Sequence, residues 1–175
     1  MSYVVPVSAQ SGYEYLETID VLSAEAFIDI DLSQYTDYKA VRLSMHGVST
    51  SGSGYLQLKG SLDGGVSWLS TSSWVTGIGP ISAVVLGNQP SSIIRLSNAI
   101  GGGVGYIEAI VSCPHDGNAS VVATRYAYND TPGPAASAYS GVGGGAFYSG
   151  VVDMLRFQAS SGNLIAGRIV VEGVL

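Results

Sequence analysis

Apolar and polar residues alternate along most of the chain, with the period of two that is typical of half-buried β-strands. Ten segments show this pattern or a short apolar run between turn residues, at the spacing of about 8–12 residues that is usual in sandwiches and barrels. No stretch has a sustained period of 3.6 residues, so we expect very little helix. The sequence therefore predicts an all-β fold. The predicted strands are residues 14–22, 25–32, 40–48, 54–62, 81–86, 91–96, 104–113, 120–128, 151–159 and 164–173.

The clearest alternation lies at the C-terminal end of the chain. The apolar odd-numbered residues are Val151, Leu155 and Phe157 in 151–159, and Ile165, Ile169 and Val171 in 164–173. A three-residue loop that ends at Gly162, with this glycine in the left-handed region, would place both apolar sets on one face. We expect a β-hairpin here, and its apolar face needs a second layer because an isolated hairpin is marginal in water.

A second hairpin signal is the octet Ser-Leu-Asp-Gly-Gly-Val-Ser-Trp at residues 61–68. It has the S-x-D-x-G-x-[ST]-W form of an Asp-box hairpin, in which the aspartate caps the turn and the aromatic ring tucks beneath it. Asp-Gly between alternating runs is in itself a strong hairpin signal. We assign a structural role to Asp63, Gly64, Gly65 and Trp68, and the alternative for this turn is a calcium or sugar site.

Two segments are interpreted as loops that carry aromatic residues. Residues 70–79 are rich in Ser, Thr and Gly, and residues 129–150 are rich in Gly, Pro and small side chains. A loop as long as the second is usually functional or ordered by a partner. Aromatic side chains are enriched where partners bury them, so those in the two loops are candidates for assembly or ligand contacts. These candidates are Trp74, Tyr139, Phe147 and Tyr148.

Composition adds an argument about partners. Only 11% of the 175 residues are charged, less than half of the usual fraction of about 25%. A chain of this size cannot hide so much apolar side chain alone, so we expect neighbours to cover part of its surface, as in a homo-oligomer. The net charge of −6 offers no basic patch for direct nucleic-acid binding. No stretch supplies the ~20 apolar residues of a membrane span, so no membrane partner is expected.

The first residues differ from the rest of the chain. Residues 1–12 alternate poorly and contain Pro6, which favours an extended N-terminal arm ahead of a single domain at 13–175. The arm has neither a basic n-region nor an apolar h-region. We therefore expect synthesis in the cytoplasm without classical export.

The residue types that most often carry chemistry form no recognisable set. Cys113 is the only cysteine and lies in an apolar segment, so we expect it to be a small buried hydrophobe. His46 and His115 lack the Cys/His/Asp spacing of a zinc site. No Gly-rich phosphate loop precedes a helix. We expect no catalytic residue, no cofactor and no metal ion.

Carboxylates leave two alternatives open. Asp29 with Asp31, or Asp116 with Asn118, could bind calcium through oxygen, although exposed turn carboxylates explain the same pattern. Two carboxylates that are distant in sequence could also meet in space and cleave a glycoside.

Several of these features occur in a characteristic order. Residues 27–38 read Phe-Ile-Asp-Ile-Asp-Leu-Ser-Gln-Tyr-Thr-Asp-Tyr and are similar to an opening pattern "ID-x-LS-x-Y-x-x-Y". The octet at 61–68 follows, and the chain closes with Val-Asp-Met-Leu-Arg-Phe at 152–157 and Ser-Ser-Gly-Asn-Leu-Ile-Ala-Gly at 160–167. Over residues 15–175 this order resembles the jelly-roll structural domains of tailed bacteriophages, found in tail-fibre, receptor-binding and head-decoration proteins. The resemblance implies a jelly-roll-like antiparallel β-sandwich and a virion component that is often trimeric.

The expected function is therefore that of a non-enzymatic bacteriophage virion structural protein, either a capsid decoration (cement) protein or a tail or fibre accessory component. Its partners would be itself, as a homotrimer, and other virion proteins, and its location would be the virion. The alternative is a carbohydrate-binding module on the same fold that binds a host-receptor glycan of the cell surface through a row of exposed aromatics. A glycosidase or esterase is a third reading. The aromatics of such a row would be Trp68, Trp74, Tyr139 and Tyr148.

Overall fold

The computed structural model of the chain describes residues 12–69, 71–78, 83–91, 93–99, 105–112, 120–129, 138–147 and 150–175. Within these ranges the chain forms twelve β-strands and no helix. Accordingly, the described part of the chain contains no helix that is long and apolar enough to cross a membrane. The strands are β1 (Tyr13–Val21), β2 (Phe27–Asp31), β3 (Ala40–Thr50), β4 (Tyr55–Ser61), β5 (Thr71–Ile78), β6 (Ala83–Ser91), β7 (Ile94–Ala99), β8 (Gly105–Ser112), β9 (Ser120–Asn129), β10 (Ala138–Phe147), β11 (Met154–Ala159) and β12 (Leu164–Val174).

The strands form two antiparallel sheets. The large sheet has eight strands in the order β1-β12-β3-β8-β9-β10-β5-β6, and the small sheet has four in the order β2-β11-β4-β7. Alternate residues of each sheet are buried between the two layers, as Leu155 and Phe157 of β11 and Leu43 and Met45 of β3 illustrate. The chain is therefore a β-sandwich with one continuous apolar core.

The connectivity of the sandwich is that of a jelly roll. With β5, β6, β9 and β10 set aside, eight strands remain, and they pair in a nested manner: β1 with β12, β2 with β11, β3 with β8 and β4 with β7. Nested pairing of the first strand with the last, continuing inwards, is the double Greek key of a jelly roll. The other four strands extend the large sheet beyond β8. The predicted fold class is confirmed.

The predicted C-terminal hairpin is wrong. β11 pairs with β2 and β4 in the small sheet, whereas β12 pairs with β1 and β3 in the large sheet. The turn has the expected left-handed Gly162, with φ of 73°, but it carries the chain from one sheet to the other. Alternation shows that two strands each have an apolar face, and these faces meet the same core whether the strands are neighbours or lie opposite each other.

The predicted apolar face of β12 is also wrong at the first residues of the strand. Ile165 is 43% exposed, while Leu164 and Ile169 are fully buried. The pairing of β12 with β3 shifts register on both sides of Ala166, and Gly167 has φ of 131°. These β-bulges change the phase of the alternation, so the even-numbered Leu164 and the odd-numbered Ile169 face the same core.

Two further corrections concern loops. Residues 70–79 were expected to be a loop, but β5 occupies most of them and pairs with β6 and β10 in the large sheet. Because β4 belongs to the small sheet, the Asp63 turn between β4 and β5 does not join two paired strands and is not a two-stranded hairpin. Serine and threonine are common in turns, but they are also tolerated in strands, and the sheet context decides here.

The long loop predicted at 129–150 is likewise wrong over much of its length. β10 lies in this region, between β9 and β5 in the large sheet. Its Gly143-Gly144-Gly145 run has no apolar alternation from which a strand could be recognised. A Cβ atom on Gly144 would collide with the carbonyl oxygen of Val122 on β9. The glycine therefore permits a close approach of two backbones within the sheet.

Candidate assembly surfaces

The four predicted contact aromatics have different fates. Phe147 is fully buried in the core, so its assignment as a surface contact is corrected: its ring lies against Gly60 of the small sheet, where an added Cβ would be 3.0 Å from the ring. Trp74 lies on β5 and Tyr139 on β10, but their side chains are outside the described part of the structure. Tyr148 is outside the described residues altogether.

The hydrogen bonds that the Asp63 carboxylate accepts all come from within its own turn. The Asp63 carboxylate accepts hydrogen bonds from the Ser61 hydroxyl at 2.6 Å, the Ser67 backbone N–H at 2.8 Å and the Ser67 hydroxyl at 2.6 Å. Gly64 and Gly65 both have positive φ, which explains the two glycines. Hydrogen bonds from Ser61, and then from Ser67, lower the pKa of Asp63 to about 2. The aspartate thus caps the turn in its ionised form.

We expect Asp63→Asn to remove part of the acid sensitivity of folding. The unfolded-state pKa of aspartate is about 3.9, and the folded-state pKa of Asp63 is about 2. A lowered folded-state pKa gives stability that is present above the unfolded value and is lost as the pH falls through the folded value. Urea midpoints of the wild type should therefore fall between about pH 4 and pH 2 more steeply than those of Asp63→Asn.

The matched control for this measurement is Asp37→Asn. Asp37 is exposed in a turn, and no hydrogen bond joins its carboxylate to another described residue. Its pH profile should follow that of the wild type. Equal slopes for the wild type and Asp63→Asn would contradict the capping role of Asp63.

The solvent-facing side of the large sheet carries a patch of small apolar residues. In β9 the side chains alternate between buried and exposed, so every second residue faces solvent. Val121 on β9 is 54% exposed and Val142 on β10 is 49% exposed. The register aligns Ile110 with Ala123 and Val121 with Ala146. We call this set the apolar patch; it consists of Ile110 on β8, Val121 and Ala123 on β9, and Val142 and Ala146 on β10.

A network of charged groups borders the apolar patch. Glu108 is buried and accepts hydrogen bonds from Arg42 Nε at 3.0 Å, Arg125 Nη2 at 2.9 Å and the Tyr106 hydroxyl at 3.1 Å. Arg42 also pairs with Glu172 at 3.2 Å. Burial alone would raise the pKa of Glu108, but the hydrogen bonds from Arg125, Arg42 and Tyr106 lower it below the usual value. Two arginines and two glutamates therefore neutralise one another beside the patch.

A shallow pocket joins the patch to this network. It has a volume of about 400 Å³, and its lining includes the apolar Ile110 and Val142 as well as Glu108, Arg125 and Tyr13. Glu108 and Arg125 in this lining already pair with each other. A partner side chain can therefore enter the pocket without leaving a charge unpaired. The large-sheet face thus combines exposed apolar area with preorganised charges.

The solvent-facing side of the small sheet has a different character, because aromatic rings there hold a guanidinium group. The Arg156 guanidinium forms two hydrogen bonds of 2.7 Å with Asp29. The same group lies 3.7 Å from the centre of the Phe27 ring and 4.6 Å from that of Trp68. Trp68 is half-buried, and Lys59 Nζ lies 6.0 Å from the centre of the same ring.

The tyrosines of the opening pattern at 27–38 are used for packing. Tyr35 packs against the core beside a pocket of about 240 Å³ that Leu32 and Val152 also line. Burial, and then the Glu17 carboxylate, raise the pKa of Tyr35 to about 12, so this hydroxyl stays protonated. Tyr38 occupies the space that a Cβ atom on Gly173 would need. These residues fix the approach of the chain to β3.

The candidate metal and catalytic residues are spread out. No group of three or more His, Cys, Asp and Glu in the described part of the chain is placed to hold a metal ion. Asp29 is engaged by Arg156, and Asp31 accepts a hydrogen bond from the Ser33 backbone N–H at 2.9 Å. His46 is exposed, with its ring 5.0 Å from that of Tyr106. The remaining candidates, Cys113, His115, Asp116 and Asn118, lie outside the described residues.

Comparison with known proteins found no match: no family model, no curated protein and no solved structure matches the chain.

Sequence reasoning missed the apolar patch and the Glu108 network. A signal for the patch was present in residues 120–128, where apolar residues occupy both sides of the alternation: Val122 and Tyr126 face the core, and Val121 and Ala123 face solvent. Apolar residues on both faces are typical of strands that are covered on both sides. The Glu108 network joins residues from the four strands β3, β8, β9 and β12, so no local sequence pattern predicts it.

Proposed function

We propose that this protein is a non-enzymatic structural component of a bacteriophage virion, either a capsid decoration protein or a tail or fibre accessory protein. It acts by assembly: copies of the chain associate through the large-sheet face as a homotrimer, and the trimer binds other virion proteins. The sequence resemblance to phage jelly-roll domains supports the setting, and the jelly-roll connectivity agrees with it.

The observation that carries the assembly proposal is the apolar patch. Val121 and Val142 expose about half of their surface on neighbouring strands, and Arg125, the cross-strand neighbour of Val142, is paired with Glu108. The adjacent arginines are paired with Glu108 and Glu172, so burial of this face leaves no charged group without a partner. A core that is apolar and poor in uncompensated charge, with a polar border, is the usual anatomy of a protein interface.

The low charge of the whole chain supports the same proposal. Seven Lys and Arg and thirteen Asp and Glu among 175 residues leave much of the surface to Ser, Gly, Tyr and small apolar side chains. Such a surface invites association unless a closed oligomer covers it. Of the aromatics that the glycan-binding alternative would use, Trp68 is the one whose side chain is described, and the Arg156 guanidinium lies 4.6 Å from the centre of its ring.

We expect Val121→Asp and Val142→Asp each to dissociate the oligomer. A carboxylate at 121 would face Ala146, and one at 142 would face Arg125, whose charge Glu108 already neutralises. Either variant therefore adds an uncompensated negative charge that must be desolvated, which opposes association by several kcal/mol. Light scattering should give three times the 18.0 kDa of one chain for the wild type and the mass of one chain for the two variants.

The matched control is Val66→Asp, because Val66 is 85% exposed in the Asp63 turn, away from the large-sheet face. This variant should remain trimeric. A wild type that stays at 18.0 kDa at high concentration would overturn the assembly proposal. Labelling of purified phage particles with an antibody against this chain tests the virion location. Particles that do not contain the chain would refute the virion location.

A further inference from the structure

A second polar site lies on the small-sheet face, at the β4–β7 side. Gln57 of β4 is aligned with Arg95 of β7, and Lys59 lies two residues further along the same face of β4. Residues that are diagonal across an antiparallel pair lie about 7–8 Å apart, so the three residues are neighbours on one face of the sheet. We call this set, Gln57, Lys59 and Arg95, the basic corner.

Gln57 is the unusual member of the basic corner. It points to the outer side of the sheet, because its neighbours Leu56 and Leu58 are buried in the core, yet it is only 6% exposed. No hydrogen bond joins its amide to another described residue. Its amide atoms are not among the fully buried side-chain atoms that lack a partner, so they reach solvent at the outer face. The amide is therefore available to a group that enters from outside.

The two cations of the basic corner are positioned without being neutralised. The Arg95 guanidinium lies 3.7 Å from the centre of the Tyr55 ring, and Lys59 Nζ lies 6.0 Å from that of Trp68. Rings hold a cation in place and leave its charge uncompensated. No carboxylate of the described residues forms an ion pair with Lys59 or Arg95. By contrast, each of the arginines on the large-sheet face and in the Arg156 cluster has a carboxylate partner.

We infer that the basic corner binds a carboxylate side chain carried by an acidic protein partner. Arg95 supplies a planar fork for a carboxylate, Lys59 adds a second positive charge and the Gln57 amide adds an N–H donor. This inference rests on the proposed function in that the partner is another component of the assembly, and it gives that partner's chemistry.

Two observations favour a protein over an acidic saccharide. A sugar ring would need a free aromatic face, and the rings of Tyr55 and Phe27 each carry a guanidinium at 3.7 Å. The surroundings of the corner are rich in Arg, Tyr, Trp and Phe, which is the composition of a protein interface rather than of a flat sugar platform. The complementary partner surface is therefore one rich in Asp and Glu.

The test uses the full chain and two probes, hexaglutamate and an oligogalacturonate of similar charge. Binding is followed by the shifts of backbone amide resonances, with the chain labelled with ¹⁵N. Hexaglutamate should move the resonances of β4 and β7, and added salt should weaken its binding. Gln57→Glu, which keeps the shape and repels a carboxylate, and the double variant Lys59→Gln with Arg95→Gln should each weaken binding about tenfold or more.

Lys39→Gln is the matched control, since Lys39 is exposed just before β3 and should be replaceable without effect. Oligogalacturonate binding as tight as that of hexaglutamate would overturn the assignment to a protein partner. Absent hexaglutamate binding, or binding that survives in the corner variants, would overturn the site itself. Val121→Asp separates this result from the proposed trimer, because a monomeric chain retains the basic corner.

Discussion

Replacement of Phe157 by alanine should lower the free energy of unfolding by about 3–5 kcal/mol. Phe157 is fully buried at the middle of β11, which is itself an inner strand of the small sheet between β2 and β4. Its ring faces the large sheet, and its removal leaves a cavity that two packed sheets cannot easily close. Urea unfolding at one fixed protein concentration measures the loss, since association would otherwise shift the apparent stability.

The control for this variant is its neighbour in the same strand. Gln158 lies on the opposite, solvent-facing side of β11, and Gln158→Ala should change the free energy of unfolding by less than about 0.5 kcal/mol. A similar loss for both variants would show that the assignment of faces in β11 is wrong.

Strand content could be predicted from the sequence because alternation is a local property. The segments 40–48 and 54–62 correspond closely to β3 and β4, and Phe157 was correctly placed on a buried face. Membership of a sheet could not be predicted in the same way. The chain crosses between sheets at Gly162, and the residues on either side show the same alternation that a hairpin would show.

Two of the strands inserted into the large sheet beyond the eight of the jelly roll, β5 and β10, were harder to recognise, for two physical reasons. β5 is rich in Ser and Thr, and β10 contains three consecutive glycines, so neither has a clear apolar face. Their place in the sheet is set by cross-strand pairing and by a close approach of backbones at Gly144, neither of which is encoded in a period of two. Because neither segment has a clear apolar face, both resembled loops in the sequence.

At the candidate surfaces too, local contacts could be predicted from the sequence and long-range contacts could not. The Asp63 turn was recognisable, because the hydrogen bonds that its carboxylate accepts join residues within a few positions of one another. The basic corner could not be found in the sequence, because Arg95 meets Gln57 only through the pairing of β4 with β7. Phe147 was misplaced for a related reason: its burial depends on a strand that the sequence did not reveal.

Phe147→Ala should also lower the free energy of unfolding by about 3–5 kcal/mol, although the residue belongs to an inserted strand. Phe147 is the last residue of β10 in the large sheet and is fully buried. Its ring spans the core to Gly60 of β4, where an added Cβ would lie 3.0 Å from two ring atoms. The side chain thus ties the extension of the large sheet to the small sheet across the core.

This contact can be isolated by combining Phe147→Ala with Gly60→Ala. In the wild-type background the new methyl group presses on the Phe147 ring, so Gly60→Ala should cost about 1–3 kcal/mol. In the Phe147→Ala background the methyl group enters the vacated space, and its cost should fall by about 0.5–3 kcal/mol, the usual coupling of residues in contact. Gly12→Ala, whose added Cβ meets nothing within 4 Å, should have the same effect in both backgrounds. Additive effects of Phe147→Ala and Gly60→Ala would mean that the ring does not lie against Gly60, and β10 would then lack its anchor in the core.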